Sequence, residues 1–175
     1  MTFTNKTVIV TGASSGIGQE LAFQLAKKKA KVVLAARTAE LIETHAAKIR
    51  SEGGVALAVP TDVSRRFQVE LLVQRAVTEF GGLDVMINNA GVSPAKGTIL
   101  ENSEDDVRKT MEINFMGSLH GVWVAAPYME KAGGGQIVFV SSIIGKRGIP
   151  FNAAYCASKF ALQGLAESIR PELKS

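Results

Sequence analysis

Internal disulfide bonds are excluded at the outset, because Cys156 is the one cysteine in 175 residues, which suits a reducing compartment. Long apolar runs are also missing. No stretch approaches the roughly 18 unbroken apolar residues of a membrane span. Residues 1–6 hold no charged region leading into an apolar one, so no signal peptide is expected. A cytoplasmic location follows by default. Charge of one sign is lacking as well: 20 basic and 16 acidic side chains leave a formal charge of only +4. The densest cluster, Lys27, Lys28 and Lys29 with Lys31, falls at the expected end of a helix, where cations suit the helix dipole. No aromatic or basic stripe accompanies it, so neither a nucleic-acid nor a membrane partner is expected. His45 and His120 show no metal-ligand spacing.

What is present is enough apolar material for one core: 46% of residues are hydrophobic and 21% charged. Short apolar runs alternate with longer segments of helical period. Strands are expected at 7–10, 32–36, 55–59, 83–88 and 136–141. The first helix spans 16–29, with Ile17, Leu21, Ala22 and Leu25 on one face. Leu41, Ile42, Ala46 and Ile49 mark the second, which Gly53-Gly54 stops. Ser64 is the expected cap of a third helix running to Phe80, with Phe67, Leu71, Leu72 and Ala76 inward. Ser103 caps a long fourth helix, acidic in its first turn and reaching Lys131. The last starts near Ala153 and runs toward Leu173, with Pro171 expected to interrupt it. Five β-α units with strands apolar on both faces imply an α/β fold: a Rossmann-type, doubly wound parallel sheet in three α/β/α layers, one domain over residues 1–175.

The first strand runs into Thr11-Gly12-Ala13-Ser14-Ser15-Gly16-Ile17-Gly18 and then a helix. A strand, a glycine-rich turn and a helix N-terminus form a phosphate site, since the free N–H groups and the helix dipole face an anion. Gly12 takes a backbone angle other residues resist, Gly16 lets the backbone approach a pyrophosphate, and Gly18 lets the helix pack closely on the strand. The spacing, Gly-x3-Gly-x-Gly, is not Gly-x-Gly-x-x-Gly, and no P-loop lysine is present. The second strand ends Ala36-Arg37-Thr38, with no acid at its tip to bind a ribose hydroxyl. Arg37 stands where a 2′-phosphate would lie, so NADP (as NADPH) is favoured over NAD.

Tyr155 and Lys159 are four residues apart at the start of the last helix and share one face. A cation beside a phenol favours its ionised form and suits it to proton transfer. Ser142 lies at the end of the fifth strand, and Gly145, Gly148 and Pro150 make the segment that follows a loop. A hydroxyl there could hold a carbonyl beside the phenol.

These residues resemble the short-chain dehydrogenase/reductase family in order and spacing: the glycine turn from Thr11 to Gly18, Asn88-Asn89-Ala90-Gly91, Asn114, Ser142 and Tyr155-x3-Lys159. The resemblance implies an oxidoreductase passing a hydride between NADP(H) and a carbonyl or secondary alcohol. Tyr155 would be the acid/base, Lys159 would stabilise its phenolate and bind the nicotinamide ribose, and Ser142 would orient the carbonyl. Asn114 would hold a water linking Lys159 to solvent. Gly12, Ser14, Ser15, Gly16, Ile17, Gly18, Arg37 and Thr38 would hold the phosphates. Asp62 and Val63 would contact adenine, and Asn89, Ala90 and Gly91 the adenosine ribose. Members often form dimers or tetramers through the long fourth helix and the helix bearing the tyrosine.

Family members are longer, adding a sixth strand, a substrate lid and a seventh strand. The expected sheet therefore ends after its fifth β-α unit, with residues 136–141 as a bare edge. The substrate pocket would be shaped by residues 93–98 and 143–151. The alternative function is a catalytically inactive relative that serves as a dinucleotide-binding or interaction module. Cys156 reads as a small packing residue rather than a catalytic thiol. Phe115 and Trp123 read as core or subunit-contact residues.

Overall fold

A computed structural model describes residues 2–94 and 97–173, so Ala95 and Lys96 of the expected pocket segment lie outside the described residues. The chain alternates strand and helix. It runs β1 (Thr7–Thr11), α1 (Gly16–Lys27), β2 (Lys31–Ala36), α2 (Ala39–Ser51), β3 (Val55–Pro60), α3 (Arg66–Phe80) and β4 (Val85–Asn88). It continues through α4 (Glu104–Met111), a π segment (Glu112–Met116), α5 (Gly117–Lys131), β5 (Gln136–Phe139), a 3₁₀ turn (Ile143–Gly145) and α6 (Ala153–Glu172). All strand pairs are parallel, in the order β3-β2-β1-β4-β5. The order reverses between β1 and β4, which opens a crevice at the carboxyl ends of those strands.

Alternation along the central strands builds two cores. Val8, Val10, Val32 and Leu34 face α1 and α2. Ile9, Val33 and Ala35 face α3 and α5. Each fully buried valine, leucine or isoleucine contributes about 1.5–3 kcal/mol, so the central strands, buried on both faces, anchor the fold. Among the described residues β5 pairs with β4 alone, and its Ile137, Val138 and Phe139 are half-buried. Among the described residues no helix is long and apolar enough to cross a membrane.

Several sequence expectations are corrected. Ser64 does not cap α3: its hydroxyl donates to Asp62 Oδ1 at 2.7 Å, and the helix starts two residues later. That start rotates the buried face onto Val69, Leu72, Val73 and Ala76, leaving Phe67 and Leu71 exposed. Leu41 is also exposed, and so is Ile17, because it faces the crevice instead of the core. The long fourth helix is two helices joined through the π segment, where the Gly117 N–H reaches five residues back to Glu112 O. β4 begins at Val85 rather than residue 83, since Asp84 is occupied accepting from Thr7 N and Lys6 Nζ. β5 ends at Phe139, short of Ser141. Pro171 does not interrupt α6, which runs on to Glu172. Its fixed φ is helical and it sits in the last turn, where little hydrogen bonding is left to break.

Candidate functional site

The site is built on three turns that leave the sheet side by side. The first follows β1. Gly12 has φ +67° and Gly16 φ +56°, a left-handed region that glycine enters without strain. Gly18 has no room for a methyl, which would overlap the Gly12 carbonyl oxygen. The absence of a Cβ there seats α1 against the turn. The α1 N-terminus has no side-chain cap and no acid in its first turn, so its free N–H groups and positive dipole end are open to an anion.

The second turn follows β4, and buried hydrogen bonds lock it to the first. Thr11 Oγ1 donates to Ile87 O and accepts from Asn89 N and Ala90 N at 3.0 and 3.1 Å. Asn89 Nδ2 donates to Thr11 O at 2.8 Å and Gly12 O at 3.4 Å. Asn89 therefore serves as a brace between the central strands. The third turn follows β5 and carries Val140, Ser141 and Ser142.

Two adjoining hollows fill the crevice. One, of about 390 Å³, lies over the glycine turn and reaches Arg37 and Thr38 at one side and Asp62 and Val63 at another. The second, of about 300 Å³, reaches Ser141, Tyr155 and Lys159. Ile17, Asn89, Gly91 and Val92 line both, so the crevice is continuous from the glycine turn to the phenol. Arg37 is exposed and in no ion pair among the described residues. Asp62 is the one acid lining the first hollow, and its carboxylate already accepts from Ser64 N and Oγ. Val63 is fixed from behind, where His120 Nδ1 meets its carbonyl at 2.9 Å and Gly117 leaves room for its side chain.

At the other end, Lys159 Nζ lies 5.5 Å from the centre of the Tyr155 ring and donates to Val140 O at 2.8 Å. Lys159 is only 3% exposed. Burial pushes its ammonium below the ordinary value of 10.5. The folded chain thus holds this proton less tightly than the unfolded chain, and stability rises with pH between the lowered value and 10.5. Thermal unfolding across that window is expected to show wild-type protein gaining on Lys159→Met as pH rises. Parallel curves would show that the ammonium is not strained by burial.

Asn114 stands in the π segment, and its buried side chain makes three hydrogen bonds. Oδ1 accepts from Val92 N at 2.7 Å, and Nδ2 donates to Val92 O at 2.9 Å and Ser158 Oγ at 3.0 Å. Ser158 Oγ in turn donates to Tyr155 O. Asn114 thus ties the β4 turn to the helix that carries Tyr155 and Lys159. A Cβ on Gly91 would lie 3.4 Å from Asn114 Oδ1 and 3.6 Å from Lys159 Nζ, so Gly91 keeps both polar groups close to the crevice floor.

Ser142 stands differently from Tyr155 and Lys159. Its hydroxyl accepts from Ile144 N at 3.4 Å and caps the 3₁₀ turn, while Ser141 lines the second hollow. Ser141 Oγ donates to Lys159 O and accepts from Gln163 Nε2. Ser141, Ser158 and His45, whose Nε2 meets Ser14 O at 3.1 Å, were not among the expected site residues. Cys156 is buried and packs in α6. Trp123 is 46% exposed beneath the Arg66 guanidinium and so is not a core residue. Among the described residues no cluster of His, Cys, Asp and Glu could hold a metal.

Comparison with known proteins gives the same picture. Residues 6–175 match the family described as short chain dehydrogenase. An uncharacterized oxidoreductase of Thermotoga maritima is 41% identical over 169 residues, covering 97% of this chain and 66% of that protein. The crystal structure of a Burkholderia phymatum short-chain dehydrogenase/reductase in complex with NAD superposes with a TM-score of 0.93 at 34% identity, covering 97% of this chain and 60% of that one. NAD+-bound xylitol dehydrogenase superposes with a TM-score of 0.95 at 31% identity, covering 99% and 66%. The chain therefore spans about two thirds of the length of these relatives or less. With its five-stranded parallel sheet, its glycine turn and the matching length of sequence, this chain belongs to the short-chain dehydrogenase family.

Proposed function

We propose that this chain binds a nicotinamide dinucleotide, NADP(H) in preference to NAD(H), and takes part in interconverting a small carbonyl compound and its alcohol. One observation carries the reading: a continuous crevice joins an uncapped helix N-terminus to a phenol that has a buried ammonium beside it.

The residues present fit such a cofactor. The open amides of Ser15, Gly16 and Ile17 suit a diphosphate. The wall formed by Asp62 and Val63 suits an adenine, and Asn89, Ala90 and Gly91 line the floor between. Arg37 and Thr38 stand at the tip of β2, with no carboxylate there to repel a 2′-phosphate. When bound, the reduced nicotinamide supplies a hydride.

The chain's own residues manage the proton. The Tyr155 hydroxyl donates its proton to the carbonyl oxygen, and the Lys159 ammonium stabilises the phenolate left behind. Oxidation runs this transfer in reverse. Ser142 Oγ accepts from Ile144 N, which leaves its O–H to donate to the same carbonyl oxygen and hold it in place. The two N–H groups of the Asn114 side chain are taken by Val92 O and Ser158 Oγ. Asn114 Oδ1 accepts from Val92 N and keeps a second lone pair for a relay water that links Lys159 to solvent. The same reading places the protein in a reducing cytoplasm as a homo-oligomer.

Titration with NADPH and with NADH, followed by a carbonyl panel on the same sample, tests this. Tight NADPH binding with reduction of at least one carbonyl supports it; a chain that binds neither dinucleotide refutes it. Arg37→Ala is expected to weaken NADPH binding about tenfold and leave NADH binding unchanged. Equal losses for the two would remove Arg37 from the 2′-phosphate. A second reading is a module that binds dinucleotide without turnover. Binding with no reduction across the panel would select it.

A further inference from the structure

A turn that binds phosphate has to keep its own carbonyl oxygens off the anion, because a lone pair aimed into the crevice repels what the amides attract. In the turn after β1 four of these oxygens are taken up, those of Thr11, Gly12, Ser14 and Ser15. Thr11 O and Gly12 O accept from Asn89 Nδ2, and Ser15 O accepts from Gln19 N inside α1. Ser14 O is reached by neither the sheet nor α1. Its partner is His45 Nε2 at 3.1 Å, from the middle of α2 and 31 residues away. A carbonyl only accepts, so Nε2 carries the proton in this contact.

The imidazole is held in that position. Its ring meets Phe23 of α1 edge-on, with centroids 5.6 Å apart and planes at 69°. The Lys48 ammonium, one turn along α2, lies 5.1 Å from the same Phe23 ring. Ser14 lines the hollow that also holds Arg37 and Thr38. His45 thus links α1, α2 and the turn at the end of the crevice where Arg37 stands.

We infer that His45 is a positioning residue of the dinucleotide site: its Nε2–H holds the Ser14 carbonyl turned toward α2, which leaves the hydroxyl and amides of the turn to the phosphate. The inference rests on the dinucleotide reading above. Its prediction concerns affinity, because His45 is remote from Tyr155 and has no part in proton transfer.

The test uses NADPH as the probe and its fluorescence as the signal. His45→Met keeps an apolar side chain against Phe23 but has no donor. His45→Gln is of similar reach and keeps an N–H near the place of Nε2. His45→Met is expected to raise the NADPH dissociation constant about tenfold, His45→Gln to restore it, and both to unfold at the same temperature without ligand. Where turnover is seen, KM for NADPH rises and kcat is unchanged. Nitrogen NMR of the wild-type chain gives a measurement independent of any variant, with the Nε2–H tautomer expected for His45. Unchanged affinity in His45→Met, no rescue by His45→Gln, or a bare Nε2 would each overturn the inference. If wild-type protein binds no dinucleotide, the site reading falls together with this one; if wild type binds and His45→Met binds equally well, this one falls alone.

Discussion

Replacing Tyr155 with phenylalanine is expected to lower carbonyl reduction about a thousandfold and to leave NADPH affinity unchanged. The split follows from the geometry. Tyr155 lines the second hollow, at the far end of the crevice from the glycine turn and Arg37. Its ring sits 5.5 Å from Lys159 Nζ, and removing the hydroxyl leaves that packing in place. What is lost is the one group that can both give and take a proton beside a bound carbonyl. The ammonium next to it is buried against the floor, with one of its three N–H groups on Val140 O. Steady-state rates and a fluorescence titration on the same preparation check the result. Unchanged turnover would remove Tyr155 from the chemistry, and a parallel loss of affinity would make its role one of binding.

Gly18→Ala is expected to be the most damaging single methyl in the cofactor turn. The added Cβ would overlap the Gly12 carbonyl oxygen and come within 2.5 Å of Asn89 Nδ2. Neither can yield cheaply, because Gly12 is backbone and Asn89 Nδ2 is the brace between β1 and β4. Overpacking of this kind costs about 3 kcal/mol, or roughly 6–12 °C in Tm for a chain of this size. NADPH binding should fall with it, since α1 has to move off the turn. Gly16→Ala is the control. Gly16 has φ +56° but nothing within 4 Å of a built Cβ. Its cost is left-handed backbone strain of about 1–2 kcal/mol. Scanning calorimetry of the two variants without ligand separates the cases, and equal melting temperatures would mean that α1 is not seated by Gly18.

How far the sequence could be read depended on whether a residue's role is local. The glycine turn was legible because each glycine does its work within a few residues of itself. Gly12 and Gly16 take left-handed backbone, and Gly18 abuts Gly12. The Tyr155/Lys159 pair was legible because four residues make one helical turn. The face of α3 was not. A 3.6-residue period permits more than one phase, and the choice was made by an Asx turn in which Ser64 donates to Asp62, so the helix starts later. The π segment around Asn114 escaped notice for a related reason, since an inserted residue leaves the apolar pattern on either side intact. Gly117 and Gly121 were its available signal: a Cβ at the first would meet Val63, and one at the second would run into Asn88.

The sequence by itself determined the alternation of strand and helix, the parallel sheet, the glycine turn and the pairing of a phenol with a lysine, because periodicity and spacing encode short-range geometry. Only the tertiary structure decided that Asn114 is a brace, that Ser141 lines the crevice beside the phenol while Ser142 caps a turn, and that His45 reaches the Ser14 carbonyl. Those roles join residues 22 to 44 positions apart or more, or depend on which way a backbone turns after its strand ends. Such contacts are selected by the packing of the whole sheet, and no local pattern announces them.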